Sequence, residues 1–194
     1  MEKERDILIN KLVEEIRKSL DNDIYLSSLI TALTLPDICG KAAFPDDKPS
    51  DRYIKWYDEH IGQYETTESS NMEGIPYPSG LIIYNLRNSL MHEGNPNINE
   101  ETCDIQEFEL LLEDKNKQSI YMGSAGVRTE FVGDKVVSVT KSLCINVRQI
   151  CFKICACAEY YYKENKEKFD FFNSKLTYWN PQAKEVFLCK RKID

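Results

Sequence analysis

The segment Gly80-LIIYNLRNSLM-His92 decides the fold of this chain. Ser79 before it can accept a hydrogen bond from the first helical turn, and Gly94 after it can adopt the left-handed conformation that ends helices. The sequence therefore predicts a helix over residues 80–92 with one buried face. The residues that we expect this helix to bury are Leu81, Ile82, Leu86 and Leu90.

Helical patterns also precede this segment. Residues 4–20 carry leucine and isoleucine at four-residue spacing between charged positions, which is typical of a half-buried helix. A second, more apolar helix is predicted over residues 24–35, and Pro36 is expected to end or kink it. Residues 40–49 predict a loop, and a serine–aspartate cap begins a third helix over residues 50–64.

The composition changes after residue 103. Residues 104–140 are rich in β-branched and aromatic residues between polar turns, so we expect three or four antiparallel strands there. Residues from Lys141 to about Lys166 are apolar on most sides and predict a long helix. The sequence thus predicts one mainly helical α+β domain over residues 1–194. It comprises four or five helices, a small antiparallel β-sheet insertion at about 104–140, and a C-terminal helix plus tail at 141–194.

The charge balance limits the partners of the chain. Its 194 residues include 25 Lys and Arg against 32 Asp and Glu, a formal net charge of −7. A protein of this charge does not coat nucleic acid by bulk attraction, so any RNA contact must be local. The charged start MEKERDILIN lacks the apolar core of a secretion signal, and no stretch predicts a membrane span. We expect a cytoplasmic protein with no membrane partner.

The seven cysteines are an odd number, typical of reduced thiols rather than of a disulfide framework. Cys144, Cys151 and Cys155 are spaced to share one helical face, as core residues do. A metal site would use Cys151, Cys155 and Cys157 with a fourth ligand, but the chain has no CxxC pair and only two histidines. We therefore expect no metal and no cofactor.

Arg87, Asn88 and His92 place a guanidinium, an amide and an imidazole within about one and a half helical turns. A guanidinium can bind phosphate oxygens through parallel hydrogen bonds and stabilise the added charge of a phosphorane. An imidazole can take up and return a proton near neutral pH. Together the three residues favour cleavage of a phosphodiester without a metal ion.

One α-helix alone does not bring these groups together. At about 100° per residue Asn88 and His92 share a face, but Arg87 and His92 are about 140° apart. Two copies of the helix that meet about a two-fold axis would place Arg87 of one chain near His92 of the other. We therefore expect a homodimer through this helix.

At Arg87-Asn88-x3-His92 the sequence resembles the HEPN superfamily, whose hallmark is Arg-x4–6-His, often with Asn, Asp or His after the arginine. The resemblance implies a four- to five-helix HEPN-like bundle that dimerises through its motif helices. Many members are metal-independent endoribonucleases of toxin–antitoxin, abortive-infection or CRISPR systems. It also implies that Arg87, Asn88 and His92 are catalytic and that an antitoxin or regulatory protein is a further partner. The β insertion departs from a minimal HEPN bundle.

Three other residues are weaker candidates for substrate binding. Asp37 follows a proline and could lie beside the site, although aspartate in that position also forms turns. Arg52 and Lys55, next to Trp56 and Tyr57, could form a basic aromatic surface for RNA. Lysine and arginine also commonly form the solvated margin of a buried aromatic stripe, so both interpretations stay open.

The sequence therefore favours an enzyme that cleaves single-stranded or loop RNA. His92 would act as general base toward a ribose 2′-OH, Arg87 would stabilise the phosphorane, and Asn88 would orient the phosphate or His92. The product would be a 2′,3′-cyclic phosphate. One alternative is a non-catalytic dimeric interaction module in which Arg87 is solvated or pairs with Glu93 and His92 neutralises the end of its helix. Another is a nucleotide or phosphate sensor that uses Arg87.

Overall fold

The computed structural model describes residues 7–65, 74–113 and 123–171, and helices make up most of these residues. The helices are α1 (Ile7–Asp21), α2 (Tyr25–Ala32), α3 (Leu35–Ala43), α4 (Pro49–His60), α5 (Gly80–Asn88), α6 (Glu100–Cys103) and α7 (Val147–Glu164). The strands of these ranges are β1 (Glu107–Leu111), β2 (Gly123–Val132) and β3 (Lys135–Asn146), and they form one small sheet. The structure therefore combines helices and strands, as the α+β prediction required.

The core lies where α7 packs against α1, α2 and α3, and α4 packs between α3 and α5. Cys151 and Cys155 of α7 are fully buried, as predicted for core residues. Burial raises the pKa of Cys155 to about 12, so this thiol stays protonated. Cys144 does not share their helical face, because it lies half-buried on β3.

The predicted boundaries around Pro36 are wrong. Pro36 lies in the first turn of α3, where its missing N–H group has no intrahelical partner to lose, so it starts a helix rather than ending one. α3 then extends to Ala43, into the predicted loop. A Cβ atom on Gly40 would lie 2.7 Å from the backbone oxygen of Arg52. This glycine lets α3 and α4 approach each other closely and does not break the helix.

The sheet is mixed rather than antiparallel. β3 lies in the middle and pairs antiparallel with β2 but parallel with β1. It also continues to Asn146, so the helix predicted from Lys141 begins at Val147 instead. Leu143 and Ile145 are buried and alternate with less apolar neighbours, which is the two-residue period of a strand. The insertion thus reaches beyond the predicted end at about residue 140.

Parts of the predicted insertion and tail lie outside the described ranges, namely residues 114–122 and 172–194, as does the start of the first helix at residues 4–6. None of the helices in the described ranges combines the length and the apolar character that a membrane crossing needs.

Hydrogen bonds of one side chain fix the junction between β3 and α7. The Asn146 side chain accepts from the Gln149 N–H at 3.0 Å and donates to the buried Glu113 carboxylate at 2.7 Å.

Candidate active site

The helix that carries Arg87 is fixed at its start by two acceptors. The Ser79 side chain accepts from the N–H of Ile82, as the sequence predicted, and the Asp58 carboxylate accepts from the N–H of Gly80 at 2.6 Å. Burial raises the pKa of Asp58, and its bond to Gly80 opposes that shift. A Cβ atom on Gly80 would lie 2.6 Å from the backbone oxygen of Ile54. The start of α5 is therefore pressed against α4.

The helix changes its winding between Asn88 and His92. Residues Ser89–Glu93 form a π-helical turn, and Gly94 ends it with a φ of 70°. In a π-helix the C=O group of residue i accepts a hydrogen bond from the N–H group of residue i+5. Two residues five apart therefore lie closer to the same face of the helix than they do in an α-helix. Arg87 and His92 are five apart. The π-helical turn therefore reduces the angle around the helix axis between Arg87 and His92, which would be about 140° in an uninterrupted α-helix.

The guanidinium of Arg87 is held by two acceptors of its own chain. Its Nη2 lies 2.9 Å from Oδ2 of Asp37, and its Nη1 donates to Oδ1 of Asn88 at 2.9 Å. The side chains of Arg87 and Asp37 are only 20% and 24% exposed. The Nε atom of Arg87 is buried, and no residue of the described ranges accepts a hydrogen bond from it. The orientation of the guanidinium plane is thus fixed before any ligand binds.

The charges of two arginines act on Asp37. Burial raises the pKa of its carboxyl group, while the charge and hydrogen bond of Arg87 and the charge of Arg52 lower it. Arg52 projects from the part of α4 that contacts Gly40, one turn after Asp37 on α3. Two guanidinium groups and one carboxylate leave this cluster with a formal charge of +1, although the whole chain carries −7. A locally positive site is what a phosphate needs on an acidic protein.

Of the two interpretations of Arg52 and Lys55, the basic aromatic surface is excluded by the burial of its aromatic residues. Trp56 and Tyr57 are fully buried in the core, so no base can stack on them. Lys55 lies 3.7 Å from the Asp47 carboxylate and 3.8 Å from the centroid of the Phe44 ring. It therefore belongs to the exposed margin of α4 and makes no contact with Arg87 in the described ranges.

The two histidines have different surroundings. His92 is exposed, and no contact within the described residues engages its ring. The ring of His60 stacks on Trp56 at 4.7 Å, and its Nδ1 lies 2.9 Å from the Trp56 carbonyl oxygen. Glu93, the alternative partner of Arg87, instead accepts from Asn95 at 3.2 Å. His92 is the histidine that is free to reach a substrate.

Arg87 is thus a cation held in place by Asp37 and Asn88, and His92 is an exposed imidazole on the following π-helical turn. Groups of these two kinds are suited to phosphate chemistry. Within the described ranges, no group of three or more His, Cys, Asp and Glu side chains is placed to hold a metal ion. Sequence reasoning missed the π-helical turn, although the five-residue spacing of Arg87 and His92 is the spacing that such a turn aligns. Comparisons with models of known families, with curated proteins and with solved structures found no match to this chain.

Proposed function

We propose that this protein is a metal-independent endoribonuclease of the HEPN type that cleaves single-stranded or loop RNA in the cytoplasm. The observation that carries the proposal is the guanidinium of Arg87, held at 2.9 Å by both Asp37 and Asn88, on the same helix as the exposed His92. A toxin–antitoxin or phage-defence system is the setting we propose, with an antitoxin or regulatory protein that restrains the enzyme.

In the proposed reaction His92 removes the proton of a ribose 2′-OH, and the 2′ oxygen attacks the adjacent phosphorus. Arg87 stabilises the extra negative charge of the phosphorane through the N–H groups that Asp37 and Asn88 leave free. The P–O5′ bond breaks, and the 5′ oxygen of the leaving strand takes up a proton. The products are a 2′,3′-cyclic phosphate and a 5′-hydroxyl. DNA is not cleaved, because it lacks the nucleophile.

The direct test is incubation of the purified chain with mixed RNA in the presence of EDTA. The proposal expects cleavage at a rate that EDTA does not change. A preparation that is folded and cleaves no RNA supports the alternative of a non-catalytic interaction module. One observation favours that alternative, since Arg87 already has an ion-pair partner in Asp37 of its own chain.

The Asp37→Asn variant tests whether the Asp37 carboxylate serves RNA cleavage or the stability of the fold. Because burial raises the Asp37 pKa, the folded chain disfavours the ionised form, and this cost appears as pH rises through the raised pKa. We expect the variant to melt at or above the wild-type temperature at pH 7 to 8. The difference should shrink as pH falls toward about 3.9, the ordinary pKa of aspartate. Cleavage should fall about tenfold, because the charge that orients Arg87 is lost.

Melting curves between pH 4 and 8, combined with cleavage rates, check this expectation. Asp47→Asn is the matched control, because the Asp47 carboxylate forms an ion pair with the exposed Lys55. Its melting temperature and its cleavage rate should equal those of the wild type. An Asp37→Asn variant that melts lower at neutral pH and cleaves normally would show that the carboxylate serves the fold alone.

The site is proposed to be completed in a homodimer through α5 and the π-helical turn. Ile82, Leu86 and Leu90 are buried within their own chain, as expected, whereas the expectation that Leu81 is buried is wrong. Leu81 and Met91 remain 37% and 44% exposed on this segment. A contact between two copies would therefore be small and largely polar, with Asn88 and His92 near its centre.

Mixing two inactive variants tests this composite site. When Arg87→Ala and His92→Ala chains are mixed in equal amounts, half of the dimers are heterodimers. If each site takes its arginine and its histidine from different chains, one of the two sites in every heterodimer is intact. We expect recovery of about one quarter of wild-type cleavage after co-refolding. No recovery, with heterodimers demonstrated by differently tagged chains, would place both residues of each site in one chain.

A further inference from the structure

β2 leaves one long edge of the sheet unpaired. It is ten residues long and pairs with β3, and no other strand of the described ranges pairs with its outer edge. The register shift of the hairpin places an extra residue, Val137, on β3, so β2 itself runs without an insertion. β2 also contains neither proline nor lysine, two residues that commonly protect sheet edges. Such an edge is a template for another strand.

The outer half of this hairpin has an apolar face. Val127 and Phe131 lie on the same face of β2 as Ala125, whose partner Leu143 is buried in the core. Val127 and Phe131 are nevertheless 40% and 62% exposed, and Val139 on β3 is 47% exposed. The hairpin thus carries the core-facing side of the sheet out into solvent, which is typical of a surface that binds a partner.

The sequence around Thr129 is self-complementary for antiparallel pairing. A two-fold axis through Thr129 and perpendicular to the sheet places Arg128 opposite Glu130 of a second copy, and Val127 opposite its Phe131. Opposite charges, an aromatic with a β-branched residue, and paired threonines are the cross-strand pairs that stabilise sheets. An axis moved to Arg128 or to Glu130 would instead set like charges opposite each other. The charges therefore favour an axis at Thr129 over an axis at either neighbouring residue.

We propose that β2 is a self-association edge that pairs with β2 of a second copy of this chain about an axis at Thr129. Gly123, where each hairpin meets the core, is six residues from Thr129. At a rise of about 3.4 Å per residue it then lies about 20 Å from the axis. The helical parts of the two copies lie at opposite ends of the paired strands, so they do not collide. The apolar faces of both hairpins merge into one stripe on the same side of the combined six-stranded sheet.

This interface is separate from the one proposed at α5 and does not rest on RNA cleavage. Each is isologous, and the two together assemble a closed tetramer when their two-fold axes intersect at right angles. Loss of the β2 contact should then leave dimers, and without the α5 contact it should leave monomers. In either case the number of chains per particle halves.

Charge exchange at Arg128 and Glu130 tests the pairing. Both side chains are exposed on the hairpin, so the fold should keep its melting temperature in the variants. In sedimentation at about 50 µM, Arg128→Glu and Glu130→Arg should each halve the particle mass, because like charges then face each other. The double variant R128E/E130R should regain the wild-type mass. An unchanged mass in either single variant, no recovery in the double variant, or a monomeric wild type would overturn the proposal.

A cysteine at the axis gives a second, positional test. Thr129 faces its own copy at a Cα separation of about 4.5 to 5.5 Å, which is within disulfide reach. Thr129→Cys should therefore yield a crosslinked dimer under mild oxidation, above the background of the native cysteines in the wild type. Arg128→Cys is the matched control, because residue 128 faces residue 130 of the other copy. Equal crosslinking of both variants, or of neither, would contradict the register.

Discussion

His92→Ala is expected to lower the rate of RNA cleavage at least about 100-fold while leaving the melting temperature unchanged. The activity falls because no other group of the motif can accept the 2′-OH proton. The fold is unaffected because His92 is exposed and its ring has no contact in the described part of the chain. Initial rates on a labelled RNA and thermal unfolding measure both effects.

His60→Ala is the matched control and should show the opposite pattern. His60 stacks on the buried Trp56 and packs edge-on against Tyr161, so its removal leaves space in the core and lowers the melting temperature. Below that temperature the variant should cleave RNA at the wild-type rate. Equal activity of the His92→Ala and wild-type enzymes would remove the general base from the mechanism and favour the interaction module.

Arg87→Ala is expected to lower kcat/KM for RNA by about 100- to 1,000-fold, the effect of losing one group that stabilises an oxyanion. It also leaves the half-buried Asp37 carboxylate without its ion pair, so the free energy of unfolding should fall by about 1 to 3 kcal/mol at neutral pH. Steady-state cleavage and urea unfolding measure the two losses separately.

Arg87→Lys distinguishes charge from geometry. Lysine can pair with Asp37 but cannot hold Asn88 and a phosphate at the same time, because it lacks the planar, forked arrangement of donors. We expect most of the stability to return and most of the activity to stay lost. Arg17→Lys, which alters a guanidinium paired with Glu159 far along the chain from the motif, should keep full activity. Wild-type cleavage by Arg87→Lys would contradict the assigned role of Arg87.

Features set by local sequence could be predicted. The Ser79 cap, the Gly94 end and the extent of the segment between them depend on neighbouring residues, and the structure places all three as expected. The buried positions of Cys151 and Cys155 follow from helical periodicity in the same way. These features depend on hydrogen bonds and apolar spacing within one or two helical turns, and residues distant in the sequence have little effect on them.

Features set by distant residues could not be predicted. The parallel pairing of β1 with β3 joins segments about 35 residues apart, and alternating polarity does not reveal strand direction. Gly40 looked like a loop residue because its close contact with Arg52 appears only when α3 packs on α4. The Asp37 carboxylate meets Arg87 from a different helix for the same reason. The sequence pointed to Arg87 as a candidate, and tertiary packing shows that Asp37 holds its guanidinium.

The most direct test of the central claim is the end chemistry of an RNA cut by the purified wild-type chain in EDTA. A matched substrate carries one 2′-deoxy nucleotide on the 5′ side of the cleaved bond. If His92 and Arg87 drive attack by the 2′ oxygen, the product ends in a 2′,3′-cyclic phosphate, and the deoxy substrate is not cut at that bond. Absence of cleavage by the folded wild-type chain, or cutting of the deoxy substrate at the same bond, would contradict the account.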